Sequence, residues 1–380
     1  PPTDASTKLG LMLASGELPD VMSISDSDMY KQLVAADKVW DMQTFLETYD
    51  PDSHLLKDFP ADIRQALTDV YGDWYSYPSH MESKNNREVF PPDDQIWVDV
   101  VEKGSNGCIM FNKEIMDALG ITAEDVQTEE GFYAACEKVK ASGHQVDGQS
   151  VLPVVLQCNL WINTSLDGVV ANTFGVLPVD DEGNYRHPEL NPLYKNALKF
   201  LNTLIQKEYL DVNTLTIDET ALKTYLDAKR VFCWIGNQAQ QDKTNMPWVS
   251  YGPILASNGA KPVIGLNGEA GTGWIQTLVS KDCKNPEKIA KLLSWASSRE
   301  GLLVNYYGEE GTDYTIDDKG IVTRTEEGTK RLAEEYDNNV LMWPFANTSF
   351  ERHTEPVPDP ASNRGVEVSL MPAFGKNENT

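Results

Sequence analysis

The most constraining stretch of this chain is GTGWIQTLVSKDCKNPEKIAKLLSWASSREGLLVNYYGEEG, residues 271–311. Residues 272–279 are apolar and β-branched enough for a short buried strand. Lys281, Asp282, Cys283 and Lys284 turn the chain, and Asn285 with Pro286 starts a helix. Asn can accept from unpaired backbone N–H groups as the cap, and proline at the first helical position gives up a donor that had no partner. Ile289, Leu292, Leu293 and Ala296 fall on one helical stripe. Ser298 is placed to cap a second helix, whose Leu302, Leu303 and Tyr306 lead to a stop at Gly308. Strand, helix and glycine-bounded helix make a compact α/β unit. Trp274 stands beside two glycines, where backbone and indole can both approach a ligand.

The rest of the chain alternates in the same way. A helix ending at Gly16 leads through Pro19 and Asp20 into a strand at Val21–Ile24, which exits at Ser25 and Asp26. Ligands of open α/β sheets sit beyond the carboxyl ends of strands, so both residues are binding candidates, with helix capping as the competing role. Residues 74–78 are extended and aromatic, and residues 97–101 predict a strand. Helices are expected over 113–119, 129–141, 192–209 and 218–228. Strands are expected at 151–157, which exits to Asn159 and Trp161, and at 231–235, which exits at Asn237. A hairpin turns around Asp181, Glu182 and Gly183, and the acidic 317–320 run also reads as a turn. Alternation on this scale predicts α/β architecture with parallel, doubly wound sheets in two lobes.

Composition removes several functions. Against 32 basic residues stand 58 acidic ones, a formal net charge of −26. Nucleic-acid binding needs a basic footprint, which such a chain lacks. No run approaches the ~18 apolar residues of a membrane helix. Cys108, Cys136, Cys158, Cys233 and Cys283 are widely spaced without a CxxC pair, so neither a disulfide framework nor a zinc site is expected. Most lie in apolar runs and read as buried free thiols. His54, His80, His144, His187 and His353 have no metal-ligand spacing. No HExxH, GxSxG or P-loop occurs, and the glycines of residues 268–273 are wrongly spaced for a dinucleotide. No catalytic residue, metal or cofactor is expected. A carboxylate pair of a glycoside hydrolase is the enzyme alternative.

Nine Trp and fifteen Tyr accompany eleven Phe, so most rings carry a polar handle. A sugar presents a C–H face on which flat rings stack and a rim of hydroxyls that Asp, Asn, Gln and Glu can bind. Trp161, Trp274 and Trp343 lie next to Asn, Gly or Pro outside regular elements and are platform candidates. Trp40 and Trp295 read as core, and Trp234, inside a strand, points either way.

Five segments, in order, resemble the carbohydrate-type family of extracellular solute-binding proteins that serve ABC importers, the maltodextrin-binding-protein-like proteins and their lipoprotein members. They are LMLASGELPDVMSISDSD (11–28), GCIMFNKEIMDALGIT (107–122), LYKNALKFLNTLIQKEYLD (193–211), the 271–311 stretch, and YYGEEGTDYTIDDKG (306–320). The resemblance implies a two-lobed, type II periplasmic-binding-protein-like fold with a ligand cleft and hinges at 109–112 and 254–266. It implies one lobe from residues 1–108 and 260–305 and another from 109–259 and 306–380. The family opens with a strand–helix–strand unit before the Pro-Asp pair, whereas 18 residues precede Pro19, so the first lobe is expected to lack sheet strands. It implies aromatic ligand platforms at Trp161 and Trp274 and near Trp343, and a contact at Tyr75. With these, Ser25, Asp26, Asn159, Trp234, Asn237 and Glu269 complete the expected sugar-binding set. The implied protein is a non-enzymatic, extracellular or periplasmic monomer, lipid-anchored in Gram-positive cells. It delivers a sugar or oligosaccharide to ABC permease subunits; non-sugar cargo is the remaining alternative.

Overall fold

A computed structural model of the chain describes residues 5–157, 166–217, 219–240, 248–265, 270–335 and 343–380. The chain divides into two compact units. The first comprises Pro1–Asp93 with Asn267–Pro356, and the second Asp94–Leu266 with Val357–Thr380.

In the first unit, the strand Gln276–Val279 lies between Val21–Ile24 and Ser76–Pro78, antiparallel to both. Its alternating side chains reach two different clusters. Leu278 packs with Met22, Tyr30 and Leu33, while Val279 packs with Phe45, Trp74, Tyr77 and Leu293. Both faces are therefore covered, which explains why the strand has no polar alternation. Helix Pro286–Ser297 begins with its proline, but the Asn285 side chain makes no capping hydrogen bond. Its buried residues are Ala290, Leu293 and Ala296. The buried stripe is rotated from the expected one, and this leaves Leu292 42% and Trp295 39% exposed, so Trp295 is not a core residue. Ser298 does cap the next helix, Arg299–Tyr307, accepting from the Gly301 N–H at 3.2 Å.

The second unit holds a four-stranded sheet in the order Leu152–Leu156, Val231–Asn237, Gly107–Asn112, Trp248–Val249. Only the first pair is parallel, the pair joined by a long helical crossover; the others are antiparallel. Every residue of Gly107–Asn112 and Val231–Asn237 is buried. Helices Glu129–Ser142 and Tyr194–Gln206 pack Phe132, Cys136, Phe200 and Leu204 onto this sheet.

Three differences from the sequence reading have clear causes. Residues 97–101 form part of a helix, Gln95–Lys103, because Asp94 caps it and Trp97 and Val100 recur at helical spacing to pack on Val368. That packing places 94–108 with the second unit. Residues 109–112 form a central strand of the second unit, and the chain leaves the first unit at Asp93. Residues 306–356 belong with the first unit, since Tyr306 and Tyr307 pack with Tyr314, Val322 and Phe350. The expected turns at 180–184 and 317–320 do close hairpins, at the Val179–Tyr185 bridge and between Tyr314–Ile316 and Val322–Arg324.

Candidate functional site

Strands Val21–Ile24 and Ser76–Pro78 both end where Gln276–Val279 begins. Ser79 continues the second register against Ile275, His80 stacks beside Trp274, and Ser25 and Asp26 follow the end of the first strand. The Ser79 N–H donates to the Ile275 carbonyl at 2.9 Å, and the Ile275 N–H donates to Ser79 Oγ at 3.2 Å. Gly273, at φ +56°, lets the chain pass against Ser79 before Trp274. That glycine makes room for the protein's own backbone.

His80 is the hub of this end. Its φ of +48° lies in the left-handed region, where His is tolerated better than most side chains. Its N–H donates to the Ala346 carbonyl at 2.5 Å. The imidazole stacks at 6.1 Å and 29° on Trp274 and at 5.3 Å and 24° on Trp343. Trp274 is 46% and Trp343 37% exposed, so both indoles keep open surface. Burial lowers the His80 pKa to about 4, which keeps the ring neutral at pH 7.

Trp343 opens a single 3-10 turn, Trp343–Phe345, which is anchored at Phe345 and at Asn347 just beyond it. Phe345 packs 5.5 Å from Tyr77. Asn347 Oδ1 accepts from Asn86 Nδ2 at 2.8 Å and from the Phe350 N–H at 3.0 Å, capping helix Thr348–Thr354. Tyr306 Oη accepts from the Asn347 N–H at 2.8 Å and donates to its carbonyl at 3.0 Å. Two residues past His80, Glu82 receives Arg87 at 2.6 Å, Arg352 at 2.7 Å and the Ser349 hydroxyl at 3.1 Å.

In the second unit, the parallel strands Leu152–Leu156 and Val231–Asn237 end together in a cluster of carboxamides. The Asn237 N–H donates to Gln157 Oε1 at 2.7 Å, and the Gln238 N–H donates to the Asn106 carbonyl at 2.8 Å. Gln238 Oε1 is buried without a partner. Among the described residues, no group of three or more His, Cys, Asp or Glu is placed to hold a metal ion.

One end of the first sheet thus offers flat rings and a neutral imidazole, which suits binding. The profile of the bacterial extracellular solute-binding proteins matches residues 1–302. The chain belongs to that family.

Solved structures agree in fold. The S. pneumoniae ABC-transporter substrate-binding protein FusA, in complex with kestose, is 17% identical with a TM-score of 0.71, covering 99% of this chain and 77% of its own. An HMO-binding, ABC-transporter-associated solute-binding protein from Bifidobacterium longum infantis is 16% identical, TM-score 0.65, covering 97% and 73%. A sugar transporter structure from Arthrobacter chlorophenolicus with laminaribiose is 11% identical, TM-score 0.53, covering 97% and 75%. No curated protein gives a significant match.

The solute-binding protein's expected site residues fare differently. Trp274 and Trp343 come together through His80, which the sequence reading passed over as one scattered histidine. The signal available was its place just past an aromatic extended run. Asp26 Oδ1 accepts from the Asp28 and Met29 N–H groups at 2.8 and 2.9 Å, so it caps the Ser27–Ala35 helix; Ser25 beside it is exposed. Tyr75 is half-buried against the Leu9–Met22–Tyr30 cluster. Trp234 is 0% exposed and packs with Met110, Leu226 and Trp248, so it is a core ring with no face for a ligand. Asn237 is buried at its strand end, with Oδ1 accepting from the Ala239 N–H at 2.9 Å. Asn159, Trp161 and Glu269 lie outside the described residues.

Proposed function

We propose that this extracellular solute-binding protein captures a sugar or oligosaccharide and hands it to an ABC permease without chemical change. The observation that carries the reading is the pair of half-exposed indoles, Trp274 and Trp343, both stacked on His80 at one sheet end. Rigid aromatic faces with nearby polar groups match the C–H face and hydroxyl rim of a sugar ring. The sugars bound by FusA and by the Arthrobacter protein support the same reading. The net charge of −26 argues against nucleic acid as partner. Ser25, Asp26, Asn237, Asn159, Trp161 and Glu269 are the proposed hydrogen-bonding and stacking partners. A monomer, lipid-anchored on the outside of a Gram-positive cell membrane or held in the periplasm, completes the proposal.

A thermal-shift screen against neutral and acidic glycans, followed by recovery of the bound sugar, tests it. Stoichiometric uptake of an unaltered glycan is expected. Release of hydrolysed sugar makes the protein an enzyme. A shift with peptides and none with glycans removes sugar as its cargo.

A further inference from the structure

The hydrogen bonds around Ser79 fix which nitrogen of His80 carries the proton. Ser79 is 0% exposed, and its Oγ accepts from the Ile275 N–H at 3.2 Å. The hydroxyl's own proton then needs an acceptor, and His80 Nδ1 stands 3.0 Å away. If Nδ1 were protonated it would donate to Ser79 Oγ and strand the buried hydroxyl proton. Nδ1 is therefore the acceptor, and the proton of the neutral ring sits on Nε2. That N–H has no hydrogen-bond partner among the described residues, and Nε2 is not one of the sealed unpartnered atoms. The two arginines beside this segment, Arg87 and Arg352, are both held by Glu82.

We infer that His80 is a specificity-determining residue: its Nε2–H donates to an oxygen of an uncharged sugar that stacks on Trp274 or Trp343. The inference rests on the sugar-binding reading. It adds that this face offers a neutral N–H donor to an acceptor oxygen of the sugar. The left-handed backbone of His80 and its N–H bond to Ala346 aim the ring, and Ser79 sets the tautomer.

Two measurements test it. Nitrogen NMR of the imidazole in the free protein at pH 7 is expected to show a neutral ring with the proton on Nε2. A proton on Nδ1 overturns the proposal, whatever the ligand. The second is calorimetry with kestose, laminaribiose and maltotriose on wild type, His80→Gln and His80→Phe, each checked by its melting curve. Gln keeps an N–H near the reach of Nε2, so affinity within about threefold of wild type is expected, whereas Phe keeps only the flat ring and is expected to bind at least roughly tenfold more weakly. Wild-type binding with an equally tight Phe variant overturns the donor role and leaves the sugar reading intact. Binding of an acidic glycan with none of the three neutral ones overturns the inference alone, whereas folded wild type that responds to no glycan in the thermal-shift screen overturns the sugar reading as well.

Discussion

Gly273 lies so close to Ser79 that a Cβ at position 273 would sit 1.9 Å from the Ser79 carbonyl oxygen. The glycine also holds φ +56°, so an L side chain there meets both a strained backbone and a main-chain clash. Gly273→Ala is expected to cost at least ~2 kcal/mol in urea unfolding and to weaken ligand binding by displacing Trp274. An unchanged unfolding midpoint would show that the segment shifts freely and that Gly273 does not set the indole.

His80 ties stability to pH. Its folded pKa of about 4 lies below the ordinary 6.5, so the unfolded chain binds more protons between those values. The contribution is complete above about pH 6.5, is lost as pH falls through the window, and levels off below about 4, with a slope of up to ~1.4 kcal/mol per pH unit. Between pH 7 and 5, wild type is expected to lose ~1–2 kcal/mol more than His80→Gln, which has no such group. Parallel losses in both proteins would contradict a buried neutral imidazole.

Asn347 anchors the turn that presents Trp343. Replacing it with Leu removes the acceptor for Asn86 Nδ2 and for the Phe350 N–H, inside a buried network. A loss of ~2–4 kcal/mol is expected, with weaker sugar binding even where the variant remains folded. Stability within experimental error of wild type would mean that water replaces these bonds.

Cys108, Cys136 and Cys233 are buried free thiols, and burial raises the pKa of Cys136 and Cys233 well above the ordinary value. Cys283 is half-buried and also raised. In a Cys158→Ser background, mass spectrometry after native alkylation at pH 7.5 is expected to find slow labelling confined to Cys283, with all four thiols labelled after denaturation. Fast native labelling of Cys136 or Cys233 would contradict their sealed positions.

The sequence disclosed most where local chemistry and packing agree. The Gln276–Val279 strand, the proline start of Pro286–Ser297, the Ser298 cap and the Gly308 stop all follow from residues within a few positions of one another. Helical and strand periods are hard to separate in a short apolar run, and residues 97–101 became helix once Trp97 and Val100 found Val368, over 260 residues away in the chain. Which face of a helix is buried also depends on distant partners, as Trp295 shows by standing outward. At the candidate site, the placement of Trp274 outside a regular element was legible from its glycines. His80 was not, because its value comes from the Trp274 and Trp343 rings, which the antiparallel pairing of 76–78 with 276–278 and the Met81–Asn347 bridge bring to it from distant segments. Trp234 shows the converse: a tryptophan in a strand interior is decided by sheet packing alone.

The central claim is that Trp274 is a binding surface for sugar. The most direct test is calorimetry of wild type and Trp274→Ala with the glycan giving the largest thermal shift, alongside urea unfolding. Because the indole is 46% exposed, the variant is expected to keep its stability to within ~1 kcal/mol while its affinity falls roughly tenfold or more. An unchanged affinity in a folded variant would contradict the account.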